Sequence, residues 1–250
     1  MNKIINSRFK PLLKVIYANV SSARINFEAA SLKNINFIWI PKTAGTSIFK
    51  FLNENFAMQK RKRSKHFLSF PNKGAVTFVH VSYTQLLALG VVSKDYHEKA
   101  YKFSIVRNPY DRAVSLYNYL IQDKEGRVSA DKTFKQFLED VYLFRQPIGL
   151  YNSIGISQAN PQADWVIGLD GKLLVDNFFK LENLDVFAKK MKTKYNVNFD
   201  SDIKLNVSAK KLSLQEAYQD STCVELVQSI YERDFDLFGY CKNTIPHQKN

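Results

Sequence analysis

Residues 35–47 read Ile35-Asn36-Phe37-Ile38-Trp39-Ile40-Pro41-Lys42-Thr43-Ala44-Gly45-Thr46-Ser47. Residues 35–40 are a short apolar run rich in β-branched and aromatic side chains, the composition of a buried strand. Pro41 stops that run. Thr46 or Ser47 is expected to cap a helix through about Asn55, with Ile48, Phe49, Phe51 and Leu52 on its apolar side. A buried strand that turns directly into an amphipathic helix is the unit from which α/β sheets are built.

Working outward, the same alternation recurs. Strands are predicted over 75–79 and 103–106, and helices near 83–89, 133–142, 184–195 and 221–233. After the 103–106 strand, Asn108 is placed to cap a helix with Pro109 at its first position and Asp111 in its first turn. Residues 165–169 and 173–179 flank Asp170-Gly171, a hairpin turn signal. The run Lys60-Arg61-Lys62-Arg63-Ser64-Lys65 is too dense in charge to be buried and reads as a solvated loop, or as a grip for an acidic ligand. Strands alternating with helices predict an α/β fold: a single domain with a mainly parallel central sheet flanked by helices. Its expected limits are 35–241, after an N-terminal extension at 1–34 and before a C-terminal tail at 242–250. There is no internal repeat.

Composition narrows the function. The chain has 250 residues, 45% hydrophobic and 24% charged, ordinary for a globular protein with its own core. The net charge of +13 points to anionic partners without choosing among them. Two cysteines, Cys223 and Cys241, form no CxxC and no zinc-spaced cluster, so metal and redox chemistry are not indicated. The apolar stretch 11–20 is interrupted by Lys14 and Asn19, too short and too polar to span a membrane. A cytoplasmic protein is expected.

Chemistry concentrates at two strand-to-helix junctions. At the first, Lys42, Thr43, Ala44, Gly45, Thr46 and Ser47 offer free backbone N–H groups, a helix dipole, the hydroxyl donors of Thr46 and Ser47 and a mobile ammonium, the ingredients of a phosphate site. The lysine precedes the glycine and no first glycine is present, so this is not a Walker A loop. Its shortness suits a 5'-phosphate rather than a triphosphate. At the second junction, Arg107-Asn108-Pro109-Tyr110-Asp111-Arg112-Ala113-Val114-Ser115 again follows a strand. Arg107 closes the strand and Ser115 lies about two helical turns on, so a guanidinium and a hydroxyl meet a second, separate phosphate. Asp111 and Arg112 read more simply as pairing or helix-surface residues.

These two segments, in this order, resemble the 5'-phosphosulfate loop and the 3'-phosphate element of the sulfotransferases that use 3'-phosphoadenosine 5'-phosphosulfate (PAPS). The likeness is nearest to the carbohydrate (membrane-type) branch, in a bacterial-type form. Weaker likeness continues at Leu181-Glu182-Asn183-Leu184, at Leu205-Asn206-Val207-Ser208 and at the 231–240 segment. The resemblance implies a P-loop-like sulfotransferase fold, PAPS as donor, no metal, and a hydroxyl acceptor that is a carbohydrate or glycan rather than nucleic acid. Ser208 and Lys211 count among the nucleotide-binding residues, and Lys210 and Lys211 would close over the 3'-phosphate or else stand as surface lysines.

By resemblance and by chemistry, Lys42 is the cation that stabilises the departing bridging oxygen. A general base is needed for the acceptor hydroxyl. His80, in Phe78-Val79-His80-Val81-Ser82, ends a predicted strand on the side where α/β sheets bind ligands. The segment also resembles the Gly-His-Val-Ser region of heparan-type enzymes, with Val79 in place of the glycine. His66 and Glu54 are the reserves; His97 and His247 read as surface residues. A nucleotide or nucleoside kinase would need a Walker lysine and a magnesium carboxylate, and a non-catalytic polyanion binder would leave the two phosphate loops unexplained.

Overall fold

The computed structural model describes residues 33–62, 64–122, 128–144, 157–200 and 212–246. Five strands, β1 (Ile35–Ile38), β2 (Gln59–Arg61), β3 (Ala75–Phe78), β4 (Tyr101–Val106) and β5 (Asn177–Lys180), form one sheet in the order β2-β3-β1-β4-β5. Every neighbouring pair is parallel. Ile35 lies opposite Ala75 on one side and Tyr101 on the other, and the β1–β4 pairing ends at Ile38 opposite Ser104.

The helices are α1 (Gly45–Phe56), α2 (Ser64–Phe67), α3 (Tyr83–Ala88), α4 (Lys94–Lys99), α5 (Pro109–Leu120), α6 (Phe134–Phe144), α7 (Ala163–Val166), α8 (Asp185–Tyr195), α9 (Leu214–Ala217), α10 (Ser221–Ile230) and α11 (Glu232–Phe238). Strand alternation sends Ile35, Phe37 and Trp39 to one face, where they meet Ile48 and Leu52 of α1 and Phe187 and Met191 of α8. Ile38 and Ile40 face the other way, toward Leu86 of α3, Trp165 of α7 and Phe238 of α11. A third cluster joins α5, α6 and α10 through Leu116, Phe137 and Val227. Burying each such side chain contributes roughly 2 kcal/mol, so the centre of the sheet is the most firmly fixed part. Among the described residues no helix is long and apolar enough to cross a membrane.

Aromatic side chains organise the first face. Tyr101, Phe103, Phe37, Trp39 and Phe49 form a run of stacked rings with successive centroids 5.6, 5.3, 5.9 and 5.8 Å apart. The run crosses from β4 to β1 and on to α1, ending at the carboxyl edge of the sheet. Such offset pairs each add about 1 kcal/mol beyond their burial.

Several sequence expectations are corrected. Neither Thr46 nor Ser47 caps α1: the cap position is Ala44, with no side-chain hydrogen bond. The predicted hairpin around Asp170-Gly171 is a tight turn with a single antiparallel bridge, Ile167 to Leu173. The chain after it joins β4 in parallel, because pairing with the buried central sheet outweighs the local turn. The helix expected over 221–233 breaks at Tyr231, whose buried ring donates its hydroxyl to Ala159 O. Lys60 and Arg61 are not in a solvated loop but in edge strand β2, and the ammonium of Lys60 covers the rings of Trp39 and Phe49 at 4.5 and 4.6 Å. Its methylene stem packs while the charge lies over π faces.

Topology locates a crevice. From β1 the chain leaves toward β2 on one flank; from β4 it leaves toward β5 on the other. Adjacent strands whose connections depart in opposite directions open a gap at their carboxyl ends, where ligands of α/β sheets bind.

Candidate functional site

The first wall of that gap is the loop after β1. Lys42 and Ala44 both adopt left-handed backbone, at φ 67° and 59°. That conformation is uncommon for residues with a Cβ and persists where the surroundings impose it, often at functional sites. Thr43 is fully buried and its hydroxyl donates to Ile40 O at 2.9 Å. It therefore ties the loop to the strand end. Ser47 N and Ile48 N reach Ala44 O at 3.0 and 3.2 Å, so the amides of Gly45 and Thr46 precede the first helical bond at the positive end of α1. Thr46 is exposed and Ser47 half-buried. Gly45 has a reason beyond ligand approach: an added Cβ would lie 1.8 Å from Trp39 Nε1. The indole occupies the space a side chain would need.

The second wall is the junction of β4 and α5. Asn108 caps the helix, its side chain accepting from Tyr110 N at 3.0 Å. Arg107 donates from Nε to Asp111 at 2.7 Å and from Nη1 to Lys42 O at 3.3 Å. The two predicted phosphate segments thus meet directly, guanidinium against loop backbone. Among the described residues no acceptor faces Arg107 Nη2. Ser115 is half-buried on the same helix. Four residues beyond it stands Tyr119, an exposed ring with Lys42 Nζ 4.4 Å from its centroid. Glu182, just after β5, accepts from Asn108 N at 2.6 Å and from Tyr240 OH at 3.0 Å. A third strand end is thereby joined to the same corner.

Arg112 is not a surface residue. It is 1% exposed and donates to three backbone carbonyls, Pro41 O at 3.1 Å, Asn160 O at 3.0 Å and Gln158 O at 2.8 Å. Next to it, Gln162 holds Arg107 by both backbone groups, accepting from its N at 2.9 Å and donating to its O at 2.8 Å. Buried Asp234 accepts from Gln162 N and Ala163 N, each at 2.8 Å. Burial lifts the Asp234 carboxyl to about 6, while Arg112 and these hydrogen bonds pull against the rise. Sequence reasoning missed this block. A signal existed: position 112 lies on the stripe 109, 113, 116, 120 that buries α5.

His80 stands two residues beyond β3, with left-handed backbone at φ 59°. Its Nδ1 is 3.3 Å from Trp39 O and its ring meets the Trp39 indole edge-on at 5.8 Å. A carbonyl oxygen can only accept, so Nδ1 carries the hydrogen and Nε2 is the basic nitrogen. Burial lowers the ring to about 4; the bond to Trp39 O opposes this, and Lys42, Lys60 and Arg112 add to it. The imidazole is therefore neutral at neutral pH and sits in a positive field.

The other expected residues lie elsewhere. Glu54 is exposed on α1, nine residues past the helix start and so about 13 Å along it. The His66 side chain is exposed. His97 is not a simple surface residue: it is half-buried near the amino edge of the sheet, its Nδ1 3.0 Å from Tyr83 OH. Ser208, Lys210, Lys211 and His247 lie outside the described residues.

A family model described as the sulfotransferase family matches residues 27–151, a span that includes Lys42, His80, Arg107 and Ser115. Two solved structures are similar at low level. Mouse sulfotransferase SULT7A1, complexed with PAP, has 16% identity over 81% of this chain and a TM-score of 0.42, and the match spans 65% of the mouse chain. A sulfotransferase from Alicyclobacillus acidocaldarius has 17% identity over 84% of this chain and 99% of its own, also at TM-score 0.42. No curated protein matches in sequence.

Proposed function

The chain belongs to the sulfotransferase family, and from that premise we propose that it transfers the sulfuryl group of PAPS to a hydroxyl of a carbohydrate or glycan. The observation that carries this reading is the contact of Arg107 with the Lys42 backbone at 3.3 Å. A doubly phosphorylated adenosine needs two phosphate corners a few ångströms apart, and these are the two segments with the right chemistry.

On this reading the 5'-phosphosulfate lies against the amides of Gly45 and Thr46 and the hydroxyls of Thr46 and Ser47. The 3'-phosphate takes Arg107 and Ser115, with Ser208 and Lys211 as further partners. The acceptor oxygen attacks sulfur in line; the new O–S bond forms as the bond from sulfur to the bridging phosphate oxygen breaks. Negative charge accumulates on that bridging oxygen, where the Lys42 ammonium stabilises the transition state more than the ground state. His80 Nε2 takes the hydroxyl proton. The products are a sulfate ester, adenosine 3',5'-bisphosphate and protonated His80. The sulfuryl and phosphate oxygens offset the positive field that adds to the burial effect on the His80 pKa, so the base strengthens when the donor is bound.

The test is calorimetric titration of adenosine 3',5'-bisphosphate with excess chelator present. Binding should persist with chelator, and Lys42→Ala and Arg107→Ala should each weaken it about tenfold or more, the usual loss for a charge-assisted hydrogen bond. His80→Ala should spare binding and abolish turnover of labelled donor. Binding that needs magnesium, or near-normal turnover by His80→Ala, would overturn the donor reading or the choice of base respectively. A panel of hydroxyl acceptors with sulfate-labelled donor identifies the compound class.

A further inference from the structure

We propose that Arg112 is a positioning residue whose buried guanidinium fixes the separation of the two phosphate corners, so that the site selects a bisphosphate over a monophosphate. This rests on the donor reading above.

The β1–β4 ladder ends at Ile38 opposite Ser104. Pro41 and Arg107, each three residues further on, have no strand pairing to set the distance between them. The block around Arg112 takes over that task. Its Nε holds Pro41 O, the start of the first corner, while Nη1 and Nη2 hold Asn160 O and Gln158 O. The segment so gripped continues into Gln162, which clasps Arg107 N and O, the start of the second corner. Asp234 anchors Gln162 from behind through its backbone N at 2.8 Å and its Nε2 at 3.3 Å. One rigid unit therefore touches both corners from the protein side.

An arginine is a costly choice for a position as buried as this one. All three acceptors of Arg112 are neutral carbonyls, and among the described residues no carboxylate forms an ion pair with it. Burying a guanidinium costs several kcal/mol, and its three hydrogen bonds together with the nearby Asp234 and Asp164 carboxylates offset part of that. What an apolar side chain lacks is a planar fork that fixes three carbonyls at set angles. The rings of Trp165 and Tyr231 each have their centroid 5.8 Å from the guanidinium carbon, close enough for a cation–π contact.

The experiment compares three ligands, adenosine 3',5'-bisphosphate, 5'-AMP and 3'-AMP, on the full chain by calorimetry. Each monophosphate occupies a single corner and is indifferent to the spacing. Wild type should favour the bisphosphate strongly. Arg112→Lys should cut that preference about tenfold or more while changing either monophosphate by less than about threefold, the pattern of a lost coupling between sites. Gln162→Met, which removes the clasp on Arg107 and leaves Arg112 in place, should narrow the preference in the same direction. It becomes the deciding variant if thermal melting shows that Arg112→Lys does not fold. Equal weakening of all three ligands would mark the block as merely structural and overturn the inference. A wild type without any preference for the bisphosphate would remove the donor reading, and this inference with it. A variant that keeps the wild-type preference removes the inference alone.

Discussion

Trp39 is the residue on which the site turns. Its ring continues the stacked aromatic run, carries the Lys60 ammonium, meets His80 edge-on and fills the space above Gly45, and its carbonyl holds His80 Nδ1. Glycine at position 45 is therefore dictated by a neighbour 1.8 Å from any added Cβ. Gly45→Ala cannot be accommodated by a flexible chain end, because the clashing atoms belong to a buried indole. Overpacking of this kind costs about 1–3 kcal/mol. The expected result is a lower melting temperature together with weaker binding of adenosine 3',5'-bisphosphate, since displaced Trp39 drags both the loop and His80. An alanine variant with wild-type melting and affinity would show that the indole moves freely.

Among the elements, α5 has the most dependents. Its cap Asn108 satisfies Tyr110 N, its backbone N is met by Glu182, and the residue before it is Arg107. Loss of a side-chain cap costs about 1 kcal/mol. Asn108→Ala should lower stability by that amount in denaturant titration. It should also weaken the bisphosphate more than 5'-AMP, because the loosened turn carries the second corner and not the first. Equal effects on both ligands would detach the cap from the site. The contrast between α1 and α5 is instructive. Asn108-Pro109 announces a helix start that the structure keeps, whereas Thr46 and Ser47 announce one that begins earlier, at Gly45, because the left-handed turn at Ala44 has already reversed the chain.

At the scale of the whole molecule, half-buried His80 and buried Asp234 give stability opposing pH dependences. The folded His80 pKa of about 4 lies below its ordinary 6.5. The unfolded chain therefore takes up the proton first, and stability falls as pH drops from 6.5 to 4. The folded Asp234 pKa of about 6 lies above its ordinary 3.8. There the folded chain takes up the proton first, and stability rises as pH drops from 6 to 3.8. Each contribution is on the order of 3 kcal/mol, and the two oppose one another. His80→Gln removes one side of the balance. Relative to wild type, its melting temperature should rise on going from pH 7 to pH 4.5, whatever its offset at pH 7. Parallel pH profiles for the two proteins would show that His80 is not held neutral by the fold.

Local sequence determined a strand beginning at Ile35, though read two residues longer than the observed Ile35–Ile38, the α5 start at Asn108-Pro109 and the parallel α/β class, because periodicity, caps and turn residues act over a few positions. It also marked Lys42, His80 and Arg107 as chemically apt, since all three follow predicted strands. The tertiary structure alone decided that Arg107 touches the Lys42 backbone, that Arg112 turns inward, and that Gln162 and Asp234 stand behind the site. Those contacts join residues more than fifty positions apart. What fixes them is strand order and burial across the whole sheet, which no short window of sequence records.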